Sequence, residues 1–92
     1  MREAELSITN ALGLHARAAA HLVRLASGFK CGITLTRLDS GVSANAKSIL
    51  SVLHLAAGCG TKMIVTADGV DEEDAIERIT KLFADNFGED RL

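Results

Sequence analysis

Apolar residues in this chain switch repeatedly between a spacing of two and a spacing of three to four. That alternation restricts the fold more tightly than any composition figure. In "EAELSIT", residues 3–9, Ala4, Leu6 and Ile8 share one side, while Glu3, Glu5, Ser7 and Thr9 share the other. This predicts a strand with one wet face. "NALG" turns the chain. From Ala16 the period becomes helical, with Ala19, Leu22, Val23, Ala26 and Phe29 along one stripe and Gly28 as the expected stop. "CGITLTRL" alternates again with Cys31, Ile33 and Leu35 inward, "DSG" marks a hairpin, and "VSAN" returns as a short strand. "KSILSVLHL" is a brief helical stretch closed by Gly58 and Gly60. "TKMIVTAD" is a strand with Met63, Val65 and Ala67 on the core side. Asp71 is then expected to cap a last helix, with Glu72, Glu73 and Asp74 in its first turn. Ala75, Ile76, Ile79, Leu82 and Phe83 form the apolar face of that helix, and the tail "GEDRL" is expected to fray.

The order is β-α-β-β-α-β-α. One-faced strands interleaved with helices give a two-layer α+β sandwich, with the helices on one face of the sheet. At 92 residues the chain is expected to be one domain spanning 1–92. An apolar share of 48% supports a core and argues against disorder. A formal net charge of −2 argues against a nucleic-acid binder built on bulk charge. No stretch is apolar enough for a membrane span and no leader opens the chain, so a cytoplasmic protein without a membrane partner is expected. Cys31 and Cys59 form no metal-ligand pair, and neither His21 nor His54 falls beside His15. Neither a metal nor a cofactor is therefore expected.

His15 is the residue that needs explaining. Imidazole is a poor helix cap, yet it stands at the mouth of the first long helix. The first N–H groups of a helix lack intrahelical partners. Those of Ala16, Arg17 and Ala18, with the helix dipole, make an anion site beside the ring. A positive helix end disfavours imidazolium and keeps a neutral, nucleophilic nitrogen at pH 7. A neutral imidazole beside an anion hole, with Arg17 in reach, suits accepting and releasing a phosphoryl group.

"GLHARAAAHLVRLAS" resembles the active-site segment of the HPr family, the histidine-containing phosphocarriers of the bacterial phosphotransferase system (PTS). The match runs through Gly13, Leu14, His15, Ala16, Arg17 and Ala19. "NAKSILSVLHLAAGCGTKMIVTADGVDEEDAIERI" resembles that family's second signature and C-terminal half. The resemblance implies an open-faced β-sandwich, a four-stranded antiparallel sheet with three helices on one face. It implies phosphorylation of His15 on Nδ1, with Arg17 as charge partner. The phosphoryl group would come from Enzyme I and pass to IIA-type proteins, the chain being a stoichiometric carrier rather than an enzyme. A nitrogen-type regulatory paralogue is the alternative.

The same resemblance makes Ser48 a second phosphorylation site for an HPr kinase/phosphorylase, although Ser48 is also a good N-cap. It places a partner surface on Ile49, Leu50 and Leu53, framed by Arg24 and Lys47. A two-turn helix cannot bury all its sides, so one or two of these are expected to be exposed; ordinary core packing by Leu50 or Val52 is the alternative. A monomer is expected. Ala18 departs from the family by standing where proline is usual, and "RLDSGVSAN" is a slightly longer hairpin.

Overall fold

The computed structural model describes residues 1–89. Strand β1 spans Arg2–Ser7, helix α1 Ala16–Ser27, β2 Gly32–Arg37 and β3 Ser43–Asn45. Helix α2 spans Ile49–His54, β4 Lys62–Asp68 and α3 Glu72–Ala84, followed by a 3-10 turn over Asn86–Gly88. The sheet order is β1-β4-β2-β3 and every pairing is antiparallel. Register places Leu6 opposite Met63, Val65 opposite both Ala4 and Leu35, and Leu35 opposite Ala44. One sheet face is thus a continuous apolar surface, which the helices cover.

Alternation and periodicity decide this packing. Leu6, Ile33, Leu35, Met63, Val65 and Ala67 are buried from the sheet side. Ala19, Leu22 and Ala26 of α1 meet them with Ala75, Ile79 and Phe83 of α3. Each large aliphatic removed from water here contributes roughly 1.5–3 kcal/mol. Of the two long helices, α3 comes closest to the sheet, against β1 and β4, and α1 packs beside α2 and α3.

Several boundaries fall elsewhere than the sequence suggests. Strand β1 stops at Ser7, although Ile8 is still buried. Gly28 does end α1, but in right-handed conformation at φ −78°, so its positional freedom is not used. Helix α2 ends well before Gly58, and Ala56 takes the left-handed turn at φ 51°. The Arg37 guanidinium steadies that turn by donating to the Leu55 carbonyl at 2.8 Å and the Ala56 carbonyl at 3.3 Å.

Asp71 flanks α3 without capping it. Its carboxylate accepts instead from the Lys30 and Cys31 N–H groups at 2.8 and 2.9 Å. The Asp71 carboxyl is held below its ordinary range chiefly by the Lys30 bond. A capping residue in sequence has become a clasp between the start of β2 and the start of α3. Nearby Gly69 has φ 153°, and a Cβ there would meet Cys31 Cα at 2.7 Å, which is why the approach is built on glycine.

The expectation of a fraying tail is corrected for Gly88 and Glu89; residues 90–92 lie outside the described residues. Phe87 is buried, and its ring lies 4.7 Å from that of Phe83, tilted at 60°. Asn86, Phe87 and Gly88 all have positive φ, at 55°, 59° and 75°. For Asn86 and Phe87 that conformation costs roughly 1–2 kcal/mol each, offset by burying a phenyl ring. Thr9 Oγ1 hydrogen-bonds the Asn86 side chain. The chain leaving α3 is therefore folded back towards the β1–α1 loop.

Candidate functional site

The site grows from the turn between β1 and α1. Asn10 is buried, and its Nδ2 donates to the Gly13 carbonyl at 2.8 Å while the Gly13 N–H donates to the Asn10 carbonyl at 3.1 Å. The turn is closed on itself and then fixed to the far side of the molecule, where Leu14 N–H donates to the Ala57 carbonyl at 2.9 Å. Gly13 has φ 67°, and a Cβ on it would lie 2.6 Å from that same carbonyl oxygen. Only glycine permits this closeness. The residue delivered at the end of the turn is His15.

His15 flanks the first turn of α1 in extended conformation, φ −73° and ψ 178°, and its carbonyl accepts from Ala19 N–H at 2.8 Å. Its side chain makes no capping bond, so the ring is free of the helix. Nε2 instead contacts the Glu89 carboxylate. Nδ1 has no hydrogen-bond partner among the described residues. Ala16 and Arg17 are exposed, and among the described residues their N–H groups have no partner. Ala18 differs: it is wholly buried, so of the three N–H groups expected to form an anion site only those of Ala16 and Arg17 belong to exposed residues. The N–H that alanine adds where proline is usual therefore lies on a fully buried residue.

A cleft of about 640 Å³ opens over the ring, lined by Leu12, His15, Arg17, His21, Gly88 and Glu89 among others. The exposed Arg17 guanidinium has no hydrogen-bond partner among the described residues, though its charge acts on Glu89. The hydrogen bond from His15 holds the Glu89 carboxyl below the usual carboxylate range. The Asn10 donor at 3.1 Å and the charges of His15 and Arg17 act in the same direction, against a partial burial that opposes them. Among the described residues no three metal-binding side chains cluster. The three histidines are not brought together as ligands.

The sequence alone does not mark Glu89, Asn10 or Leu12 as neighbours of His15. Glu89 lies 74 positions from His15, and no local pattern announces it. Leu12 is 71% exposed in the turn before His15, a signal available only from an apolar residue inside a polar turn.

A depressed carboxyl favours the folded arrangement above its ordinary pKa of ~4.3 and loses that contribution as pH falls through the lowered value. The Glu89 contact is thus expected to persist at neutral pH and to fail only in acid. Carbon-13 titration of the Glu89 carboxyl should give a midpoint below ~4.3. A midpoint at or above it contradicts the contact.

Around α2 the residues separate clearly. Val52 is fully buried, whereas Leu50 is 76% exposed, so Val52 takes the inward place and Leu50 faces out. Ile49 and Leu53 are also exposed. Ser48 flanks α2, and its Oγ accepts from Ser51 N–H at 3.3 Å. Arg24 is exposed on α1. Lys47 is not a loose basic flank: its Nζ donates to the Phe29 carbonyl at 2.7 Å, joining the segment before α2 to the end of α1.

A family model described as "PTS HPr component phosphorylation site" matches residues 2–85. The chain belongs to the HPr family. Phosphocarrier protein HPr of Xylella fastidiosa strain Temecula1 is 48% identical over 90 residues, covering 98% of this chain and 99% of that protein. Phosphocarrier protein NPr of Escherichia coli K12 is 40% identical over 85 residues, covering 92% and 93%. The crystal structure of HPr-C-His from Thermoanaerobacter tengcongensis superposes with a TM-score of 0.93 at 37% identity, covering 99% and 100%. An HPr dimer from the same organism matches with a TM-score of 0.76 at 38% identity over 97% and 100% of the two chains. The α+β fold expected from the sequence is that of HPr: four antiparallel strands, with the helices in the expected order. As a family HPr proteins are PTS phosphocarriers. No helix among the described residues is long and apolar enough to cross a membrane.

Proposed function

We propose that His15 accepts a phosphoryl group from Enzyme I on Nδ1 and passes it to a IIA-type protein. The observation that supports this best is the ring's placement. It stands at an uncapped helix N-terminus with Nε2 engaged and Nδ1 unengaged, beside two exposed residues whose N–H groups are unpartnered. Transfer to Nδ1 builds charge on the phosphoryl oxygens where those amides and the Arg17 guanidinium can meet it. Positioning and charge stabilisation then supply most of the acceleration. The carrier is regenerated each time it delivers its load, and acts in the cytoplasm as a monomer.

The exposed Leu50, Ile49 and Leu53, with Arg24, form the surface that meets donor and acceptor. Lys47 contributes charge from a fixed position. Apolar side chains at the centre and cations around them suit partners that present acidic rims. Ser48 lies at the foot of this surface, as a site for an HPr kinase/phosphorylase. Ser48→Asp keeps a capping oxygen but adds negative charge there. It is expected to raise the Michaelis constant for transfer from Enzyme I roughly 10-fold or more, a loss of ~1.4 kcal/mol in association, with the melting temperature unchanged. Equal kinetics in both forms would place Ser48 outside the docking surface.

The similarity to E. coli NPr favours a second reading, a nitrogen-type carrier with little sugar flux. The relay can be reconstituted with phosphoenolpyruvate and either a sugar-type or a nitrogen-type Enzyme I, followed by the matching IIA acceptors. Faster charging by the sugar-type donor supports the first reading, and the reverse preference supports the second. No charging by either would overturn both.

A further inference from the structure

The contact between His15 and Glu89 joins a reactive ring to a carboxylate on a segment whose backbone is folded expressly towards it. Three successive left-handed residues, Asn86 to Gly88, reverse the chain after α3, and buried Phe87 anchors the reversal. Asn10 then donates to Glu89 Oε1 at 3.1 Å while Oε2 meets His15 Nε2. One buried amide thus fixes both the turn that carries His15 and the carboxylate that meets its ring. The Glu89 side chain is 18% exposed and that of His15 28%, so water competes poorly for the pair.

An imidazole can carry its proton on either nitrogen, and the hydrogen bond made by one decides what the other can do. A carboxylate accepts and cannot donate, so in the neutral ring facing it Nε2 holds the proton and Nδ1 the lone pair. We infer that Glu89 is a positioning residue for phosphoryl transfer, fixing the Nε2–H tautomer of His15 and balancing the positive charge that the ring gains when Nδ1 bonds phosphorus. This rests on the reading of His15 as phosphoryl acceptor. In the step itself, the Nδ1 lone pair attacks the phosphorus of a donor protein's phosphorylated ring nitrogen. The new N–P bond forms as the donor's N–P bond breaks, and the electron pair returns to the donor nitrogen. Nε2 keeps its proton throughout, so the phosphorylated ring is cationic and lies against the Glu89 carboxylate. Return of the phosphoryl group to an acceptor reverses these changes. The depressed Glu89 carboxyl agrees with this, since a carboxylate held in its charged form is what the step requires.

The test uses the full chain with Enzyme I and phosphoenolpyruvate, comparing wild type with Glu89→Gln and Glu89→Ala. Glutamine keeps an oxygen that can accept from Nε2–H but removes the charge; alanine removes both. Carboxylates that orient a metal-binding histidine through its other ring nitrogen typically contribute roughly 10–100-fold in activity, and the same order is expected for this ring. The maximal transfer rate of Glu89→Gln should therefore fall roughly 10-fold or more with the Michaelis constant for Enzyme I unchanged, because the docking surface is untouched. Nitrogen-15 spectra should show His15 as the Nε2–H tautomer in wild type and as a tautomer mixture in Glu89→Ala. A merely structural role for the strap would not produce that split between rate and Michaelis constant. Wild-type transfer rates in Glu89→Gln, an effect confined to the Michaelis constant, or an unchanged tautomer in Glu89→Ala would each overturn the inference. If wild type itself takes no phosphoryl group on His15, the failure belongs to the underlying reading; if it does and Glu89→Gln matches it, only the role of Glu89 falls.

Discussion

His15→Ala is expected to abolish phosphoenolpyruvate-dependent labelling while leaving a folded protein. The His15 side chain makes no capping bond to α1, and its hydrogen bond is to the part-buried Glu89 carboxylate, outside the apolar core. Losing it costs little, within about 1 kcal/mol of stability, as for substitutions away from the core. Its function has no substitute, since His21 lies on the exposed side of α1 and His54 in the last turn of α2, and neither stands at an open helix end. Labelling and thermal melting measured on the same sample check both halves. Persistent labelling of the variant at His21 or His54 would remove His15 from its assigned role.

Gly13→Ala is expected to damage the molecule as a whole. The added methyl group would sit 2.6 Å from the Ala57 oxygen and 2.7 Å from Gly58 Cα, both backbone atoms, at a φ of 67° that alanine rarely adopts. Neither side can yield cheaply, because Leu14 N–H is bonded to that same Ala57 carbonyl. Strain and overpacking together should cost roughly 2–4 kcal/mol, which in a domain of this size lowers the melting temperature by roughly 10–30 °C. Gly58→Ala is the control: its new methyl meets nothing within 4 Å, and its stability should hold within about 0.5 kcal/mol. Similar melting temperatures for the two variants would contradict this account of the turn. Phosphoryl transfer by whatever Gly13→Ala remains folded should also be slow, since the turn that gives way is the one that aims His15.

What the sequence makes legible is what burial repeats. Met63, Val65 and Ala67 alternate because one sheet face is dry, and Ala19, Leu22 and Ala26 recur at helical spacing because one stripe of α1 is. His15 and Arg17 stand out for a related reason, as side chains that make poor sense for a helix end considered only as a helix end. Tertiary decisions leave no such trace. Asp71 has the composition of a cap, but two N–H groups arriving from β2 compete for its carboxylate and win. Ala56 turns left-handed where two glycines stand close by, because Arg37 reaches across to bind the carbonyls there. Glu89 is one acid in a polar tail until Phe87 finds its place beside Phe83 and brings it over His15. The charge environment of the ring is accordingly richer than a helix dipole: a carboxylate of opposite sign faces it.

Phosphorus and nitrogen NMR of the chain charged by Enzyme I and phosphoenolpyruvate tests the central claim most directly. The account predicts a single phosphoryl group on His15 Nδ1, labile to acid and stable to base. A phosphoryl group on Nε2, on Ser48 or on another histidine would contradict it.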